Sequence, residues 1–188
     1  MKEIGLAWFI TRKQKIKYFY ILLLHEFYKP AFVKPKIMNI SIRQATENDF
    51  LEILSLIKEL ALFEKAPEKV TNSAEQMKNE QNLFQCFVAE TETKEIIGFA
   101  LYFFAYYTWV GKSLYLDDLY VKESFRGQKI GSRLLEKVFE FAKTENCKRI
   151  RWQVLNWNTP AIEMYKKNGA TIDDEWLNCD FESKKINY

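Results

Sequence analysis

Apolar and polar positions alternate along this chain with two different periods, and the switches between those periods mark its elements. Residues 40–45 (ISIRQA) read as a short strand, and Thr46 with Asp49 makes a capping-box-like pair after it. From Glu47 to about Phe63, the residues Phe50, Ile53, Leu54, Ile57 and Leu60 share one side at helical spacing. Pro67 closes that region, and Ser73 caps a short helix through about Glu80. Phe84–Glu90 reads as a strand with Phe84, Cys86 and Val88 on one face. A polar TETKE turn then leads to a second strand from Ile96. Its continuation, LYFFAYYTWVG, is too uniformly apolar for an exposed strand, which predicts partial cover by other elements.

The most informative stretch follows. Leu114–Val121 is an apolar strand carrying two adjacent acids, Asp117 and Asp118. A polar link holds Arg126, Gly127, Gln128, Lys129 and Gly131, and helical spacing begins at Ile130. Ile130, Leu134, Val138 and Ala142 make one stripe, widened by Leu135 and Phe139. A strand, a glycine-bearing link and a helix start together predict exposed backbone N–H groups suited to an anion, particularly a phosphate. Lys148–Leu155 reads as a further strand. Thr159 and Pro160 suit the cap and first residue of a last helix, which Gly169 ends. The tail from Thr171 adds one or two final strands. The order β-α-α-β-β-β-α-β-α-β predicts an α/β domain with a mixed central sheet flanked by helices, but leaves the strand order open.

Length and charge refine this picture. The 188 residues suffice for one domain with a substantial core. The net charge of +3 is uneven. Residues 1–39, a basic and aromatic-rich extension, hold eight Lys or Arg against two Glu, while residues 40–188, the expected domain, are net negative. The basic excess therefore gives no reason to expect nucleic-acid binding. The apolar run Tyr18–Leu24 is too short to cross a bilayer, so no integral membrane association is expected. For the extension three readings stay open: a packed appendage, a weak membrane contact, or translation that starts at Met38. Cys86, Cys147 and Cys179 are odd in number and lack zinc-like spacing, and His25 is the single histidine. No metal site is expected. Inert thiols in a reducing, cytoplasmic setting are the default.

The segments IRQAT, LIKELALFE, IIGFALYFFAYYTWVGKSLYLDDLYV, RGQKIGSRLL and NWNTPAIEMYKKNGA occur in an order and spacing that resemble the GCN5-related N-acetyltransferases (GNAT). The similarity is closest to the diamine acetyltransferase group, meaning the spermidine/spermine N1-acetyltransferases and their thialysine-acetylating relatives. It spans about residues 40–180. The resemblance implies a single GNAT-type domain, acetyl-CoA as donor, and acetyl transfer to a primary amine of a small, cationic, diamine- or polyamine-like substrate. A thialysine or other amino acid acceptor is the nearest alternative, and a non-catalytic coenzyme A-binding module is the rival of a different class. A homodimer is also implied.

Site residues follow from the same resemblance. Tyr165 is similar to the general acid that protonates the departing thiolate, and Asp117 stands where the relatives have a proton-removing glutamate. Phe63, Glu64, Asp117, Asp118 and Trp109 match acceptor-binding positions. Leu119, Tyr120, Val121, Arg126, Gly127, Gln128, Lys129, Ile130, Gly131, Ser132, Asn158 and Ala161 match cofactor-binding positions. Read alone, these residues also allow plainer roles. Tyr165 and Trp109 could be packed aromatics, Asn158 a helix-start cap, and the acids solvated edges. Adjacent acids on a strand face opposite ways, so Asp117 and Asp118 can share a pocket only across a bulge or splay. Two departures from the pattern stand out. Lys129 replaces the first patterned glycine, with an ordinary non-glycine backbone expected. Tyr107-Thr108 replaces an Asp-Pro before Trp109, which removes an acid expected to engage the far end of a long polyamine.

Overall fold

Five strands form one sheet in the order β1-β2-β3-β4-β5, in a computed structural model that describes residues 39–181. Residues 1–38, and with them the readings of the extension, lie outside the described residues. The strands are β1 (Ser41–Gln44), β2 (Gln85–Glu90), β3 (Ile96–Tyr107), β4 (Gly111–Val121) and β5 (Ile150–Arg151). The first four pair antiparallel, whereas β5 runs parallel to β4. The sheet is therefore mixed, as its sequence order implies.

Helix α1 (Phe50–Phe63) follows a 3-10 turn, Glu47–Asp49, at which the Thr46 amide donates to Asp49 Oδ2 at 2.7 Å. Its buried side is Phe50, Ile53, Leu54 and Leu56, with Ile57 and Leu60 at the margin. Helix α2 (Ala74–Asn79) starts where Ser73 Oγ accepts from the Gln76 amide. Both helices cover one sheet face, on Cys86, Val88, Phe99 and Tyr120. The opposite face is covered by α3 (Ile130–Thr144) and α4 (Thr159–Lys167). Here the expected stripe of Ile130, Leu134, Leu135, Val138 and Ala142 is buried against Ile97, Ala100, Tyr102, Leu114 and Leu116.

One irregularity organises the functional end. Leu101 pairs with Asp118 and Tyr102 with Leu116, so Asp117 is an extra residue in β4. A bulge of this kind reverses the alternation beyond it. Leu114 and Leu116 accordingly face α3, while Tyr120, an even number of residues later, faces α1.

Three local expectations are corrected. β5 is only two residues long rather than spanning Lys148–Leu155, because β4 bends away at the bulge after pairing Leu114 with Ile150 and Tyr115 with Arg151. The cap of α4 is Asn158 rather than Thr159: its Oδ1 accepts from the Ala161 amide at 3.4 Å, which makes Thr159 the first helical residue. No strand forms in residues 171–181. That stretch pairs with no strand among the described residues, and Trp176, Leu177 and Phe181 are left exposed.

Candidate active site

The divergence of β4 from β5 opens a narrow cleft of ≈ 70 Å³. Glu64, which ends α1, lines one wall, and Asp117 and Asp118 line the floor. Asn158, Ala161 and Tyr165 line the wall formed by α4. The bulge is what brings both aspartates to one space, since a regular strand would send them to opposite faces. A larger cavity of ≈ 380 Å³ lies elsewhere, bordered mainly by Gln44, Gln81, Gln85, Phe50, Phe84 and Phe141. It holds no comparable set of acids: Glu47 is the one carboxylate in its lining.

Electrostatics distinguish the three carboxyl groups. Asp118 is the most enclosed, and burial, with the charges of Asp117 and Glu64 added, pushes it up to about 7. Asp117 has solvent at its surface but is crowded by the cleft walls, and this desolvation raises its pKa. Glu64 is raised for the same reason. Among the described residues none of the three forms an ion pair. Three unneutralised acids in one cleft create a field that favours a cation.

Tyr165 is buried, with its ring against Trp152 at 5.2 Å between centroids. Burial, and secondarily the negative charges of Asp118 and Glu64, push its phenol up to about 12. It therefore keeps its proton throughout the neutral range. Trp152 is a residue the sequence reading passed over. Its signal was the short apolar alternation Ile150, Trp152, Val154 beside the cleft.

The second half of the site lies at the start of α3. Among the described residues, no hydrogen bond engages the amides of residues 127–132, six donors at a positive helix terminus. Gly127 has φ +78°, and a Cβ there would meet nothing within 4 Å. Gly131 has a different reason to be small: its Cβ would stand 3.3 Å from Met164 Sδ, so it lets α3 approach α4. Lys129 corrects the expectation of an ordinary backbone. It adopts φ 61°, ψ 14° in the left-handed region, because the loop must turn there to aim its amides outward, and lysine bears the strain a glycine would avoid. Lys129→Gly is expected to stabilise the protein by about 0.5–1 kcal/mol, the relief of strain being partly offset by glycine's freedom in the unfolded chain. A raised urea midpoint at unchanged m would show it.

From Leu116 to Val121 the edge of β4 toward β5 has no strand partner, since pairing stops at Tyr115. That edge, with the loop amides and Asn158, suits an extended ligand bearing amides and a diphosphate. Arg126 does not point its guanidinium freely outward. Its Nε donates to the Val121 carbonyl at 3.0 Å, and the group lies over the Phe63 and Tyr120 rings at 4.8 and 5.4 Å. Tyr120 itself faces α1, donating to Glu59 Oε2 at 3.1 Å. Phe63 stands at the rim, with its ring 5.5 Å from Trp157. Trp109 is not brought to the cleft of its own chain. It sits in the turn between β3 and β4 and is 83% exposed. Tyr107, at the position where the resemblance leads one to expect an acid, has the Arg149 guanidinium 5.6 Å over its ring.

Comparison with known proteins bears on the family and the fold. The chain is 38% identical over 159 residues to thialysine N-epsilon-acetyltransferase of Mus musculus, covering 77% of this chain and 94% of that one. It is 35% identical to spermidine/spermine N(1)-acetyltransferase-like protein 1 of Homo sapiens, covering 69% of this chain and 20% of that longer one. Among solved structures, an aminoglycoside acetyltransferase from an uncultured soil sample superposes with a TM-score of 0.65 at 20% identity, covering 76% of this chain and 95% of that one. Residues 48–170, which hold the cleft, the loop and Tyr165, match the model of the acetyltransferase (GNAT) family, and the chain belongs to that family.

Proposed function

We propose that this protein is an acetyl-CoA-dependent N-acetyltransferase acting on a primary amine of a small cationic substrate. The observation that carries the reading is one cleft shared by three unpaired carboxyl groups and a protonated phenol, beside a cradle of free amides. Relatives at 38–40% identity act, by their names, on thialysine, and one at 35% is named as like a spermidine/spermine acetyltransferase.

The amides of Gly127 to Ser132 would hold the diphosphate of acetyl-CoA, and the open edge at Leu119, Tyr120 and Val121, with Asn158 and Ala161, its extended arm. When bound, acetyl-CoA supplies an acetyl thioester that an amine can attack. Glu64, Asp117 and Asp118 draw an ammonium group into the cleft and orient it. Asp117, at the wetter end of the pair, takes the ammonium proton through a bridging water, and Asp118 raises its basicity by sharing the negative charge. Tyr165 holds at Oη the proton that a leaving thiolate requires. Cys86, Cys147 and Cys179 play no part as acyl carriers. Cys86 is buried, which pushes its thiol up, and no histidine base stands among the described residues.

A homodimer fits the exposed Trp176, Leu177 and Phe181 of the tail and the exposed Trp109, which could reach an acceptor only from a second copy. Cytoplasmic residence is in keeping with three free thiols. No helix among the described residues is long and apolar enough to cross a membrane.

Release of free thiol from acetyl-CoA, followed across spermidine, spermine, putrescine, thialysine, lysine and a basic peptide, tests the reading. Short diamines or amino acid amines are expected to outperform spermine, because Tyr107 replaces a distal acid and already lies under Arg149. A preference for spermine would contradict the specificity. Cofactor binding without thiol release on any amine would leave a non-catalytic module.

A further inference from the structure

Next to two residues that line the cleft, Glu64 and Asn158, stand an aromatic pair and two cations. Phe63, at the end of α1, packs on Trp157, in the loop before α4, so that an aromatic strap joins the two walls. A cation sits on each side of it. The Arg126 guanidinium lies 4.8 Å over Phe63, and Lys65 Nζ lies 5.7 Å over Trp157, both within cation–π range.

Lys65 is held there by its backbone. It occupies the left-handed position after α1 with φ 62°, where its amide donates to Leu62 O at 3.1 Å and the Ala66 amide to Ala61 O at 2.9 Å. This is the Schellman end of a helix, a place where glycine is the usual residue. Here a long cationic side chain leaves that fixed point and turns over the strap. Glu64, the neighbouring acid, lines the cleft, and the strap's other wall, residues 152–162, contains no ionisable side chain.

An acceptor that reaches from Asp117 and Asp118 on the floor, past Glu64 on the wall, to the aromatic pair thus passes from carboxyl groups to the two cations beside that pair. We propose that Lys65 determines acceptor specificity, selecting amines whose far end bears a carboxylate and disfavouring those whose far end bears a second ammonium. The inference rests on the acetyltransferase reading and narrows it. An α-carboxylate at the rim finds Lys65 without displacing it, whereas a second ammonium must push Lys65 off the Trp157 face and remain beside Arg126.

Lysine and 1,5-diaminopentane form a matched pair that differs by one carboxylate, as do ornithine and putrescine. The test is the ratio of kcat/KM within each pair, for the full chain and its variants. Lys65→Gly removes the cation while placing the residue best suited to that backbone, so folding is retained or improved. The wild type is expected to favour the carboxylate-bearing member. Lys65→Gly should lower the ratio roughly fivefold, and Lys65→Glu roughly twentyfold, within the range of partly exposed charge interactions. The loss should fall on the KM of the amino acid, with kcat unchanged. A ratio that stays within about twofold in both variants overturns the inference while leaving the transferase reading intact, and so does a wild-type preference for the diamines. If no amine in either pair or in the wider panel is acetylated, the transferase reading itself fails, and this inference with it.

Discussion

Replacing Tyr165 with phenylalanine is expected to lower kcat about 10²–10³-fold with little change in the KM for the amine, the range for loss of a positioned general acid. The reasoning is local. The Tyr165 ring packs on Trp152 and the buried face of α3, and a phenylalanine preserves those contacts. Among the described residues, no side chain or backbone group is hydrogen bonded to its hydroxyl, so removing that oxygen leaves no stranded partner behind. Stability should consequently change little, which separates a chemical defect from a folding one. Acetyl-CoA binding measured by calorimetry should be nearly unaffected, because the amides proposed to hold its diphosphate lie on α3 and its loop. Full turnover by Tyr165→Phe would remove the residue from the mechanism.

The second large effect concerns Asp118, and it runs in opposite directions for activity and stability. Wild-type turnover should fall as pH drops below about 7, where Asp118 gains a proton and the cleft loses negative charge. Asp118→Asn should cut kcat/KM roughly 10–100-fold at neutral pH and flatten that acidic limb. For stability, the direction is the reverse of the usual carboxylate case. Asp118 titrates near 3.9 in an unfolded chain and at about 7 in the folded one. The folded state therefore binds the extra proton between those values, and stability declines as pH rises through that window. Above it, the wild type carries the full penalty of a buried charge beside two others. Asp118→Asn is expected to be more stable than wild type by about 1–2 kcal/mol at pH 8, a discounted fraction of the full shift, and nearly equal to it at pH 4. Thermal melts at the two pH values check this, and a variant less stable at pH 8 would show that the charge is compensated. Gain of stability with loss of turnover would mark Asp118 as a group the fold tolerates for its chemistry.

Much of this protein was legible as one-dimensional pattern. The buried stripes of α1 and α3 follow from apolar spacing alone, since a helix must turn its apolar side to the sheet. The succession of Leu114–Val121, a glycine-bearing link and Ile130 similarly specifies a strand, a turn and a helix start, and hence a set of outward amides. The resemblance carried by the motifs around the acids and Tyr165 implied acetyl transfer before any contact was known.

What the pattern did not contain depends on pairing between distant segments. That Asp117 is the extra residue of a bulge is decided by the register of β3 against β4, and only this register lets two adjacent acids share a cleft. β5 shortens to two residues because its neighbour bends away, and an unpaired β4 edge results. The left-handed turn at Lys65 is imposed by hydrogen bonding around the end of α1, and that at Lys129 by the path of the loop into α3, both against the preference of lysine itself. The tail's apolar residues imply strands, but no edge within the described chain receives them. Sequence thus determined which faces are buried and offered the groups proposed to carry the chemistry. Tertiary structure decided which of those groups meet, because periodicity reports the side a residue takes on its own element and is silent about the partner across from it.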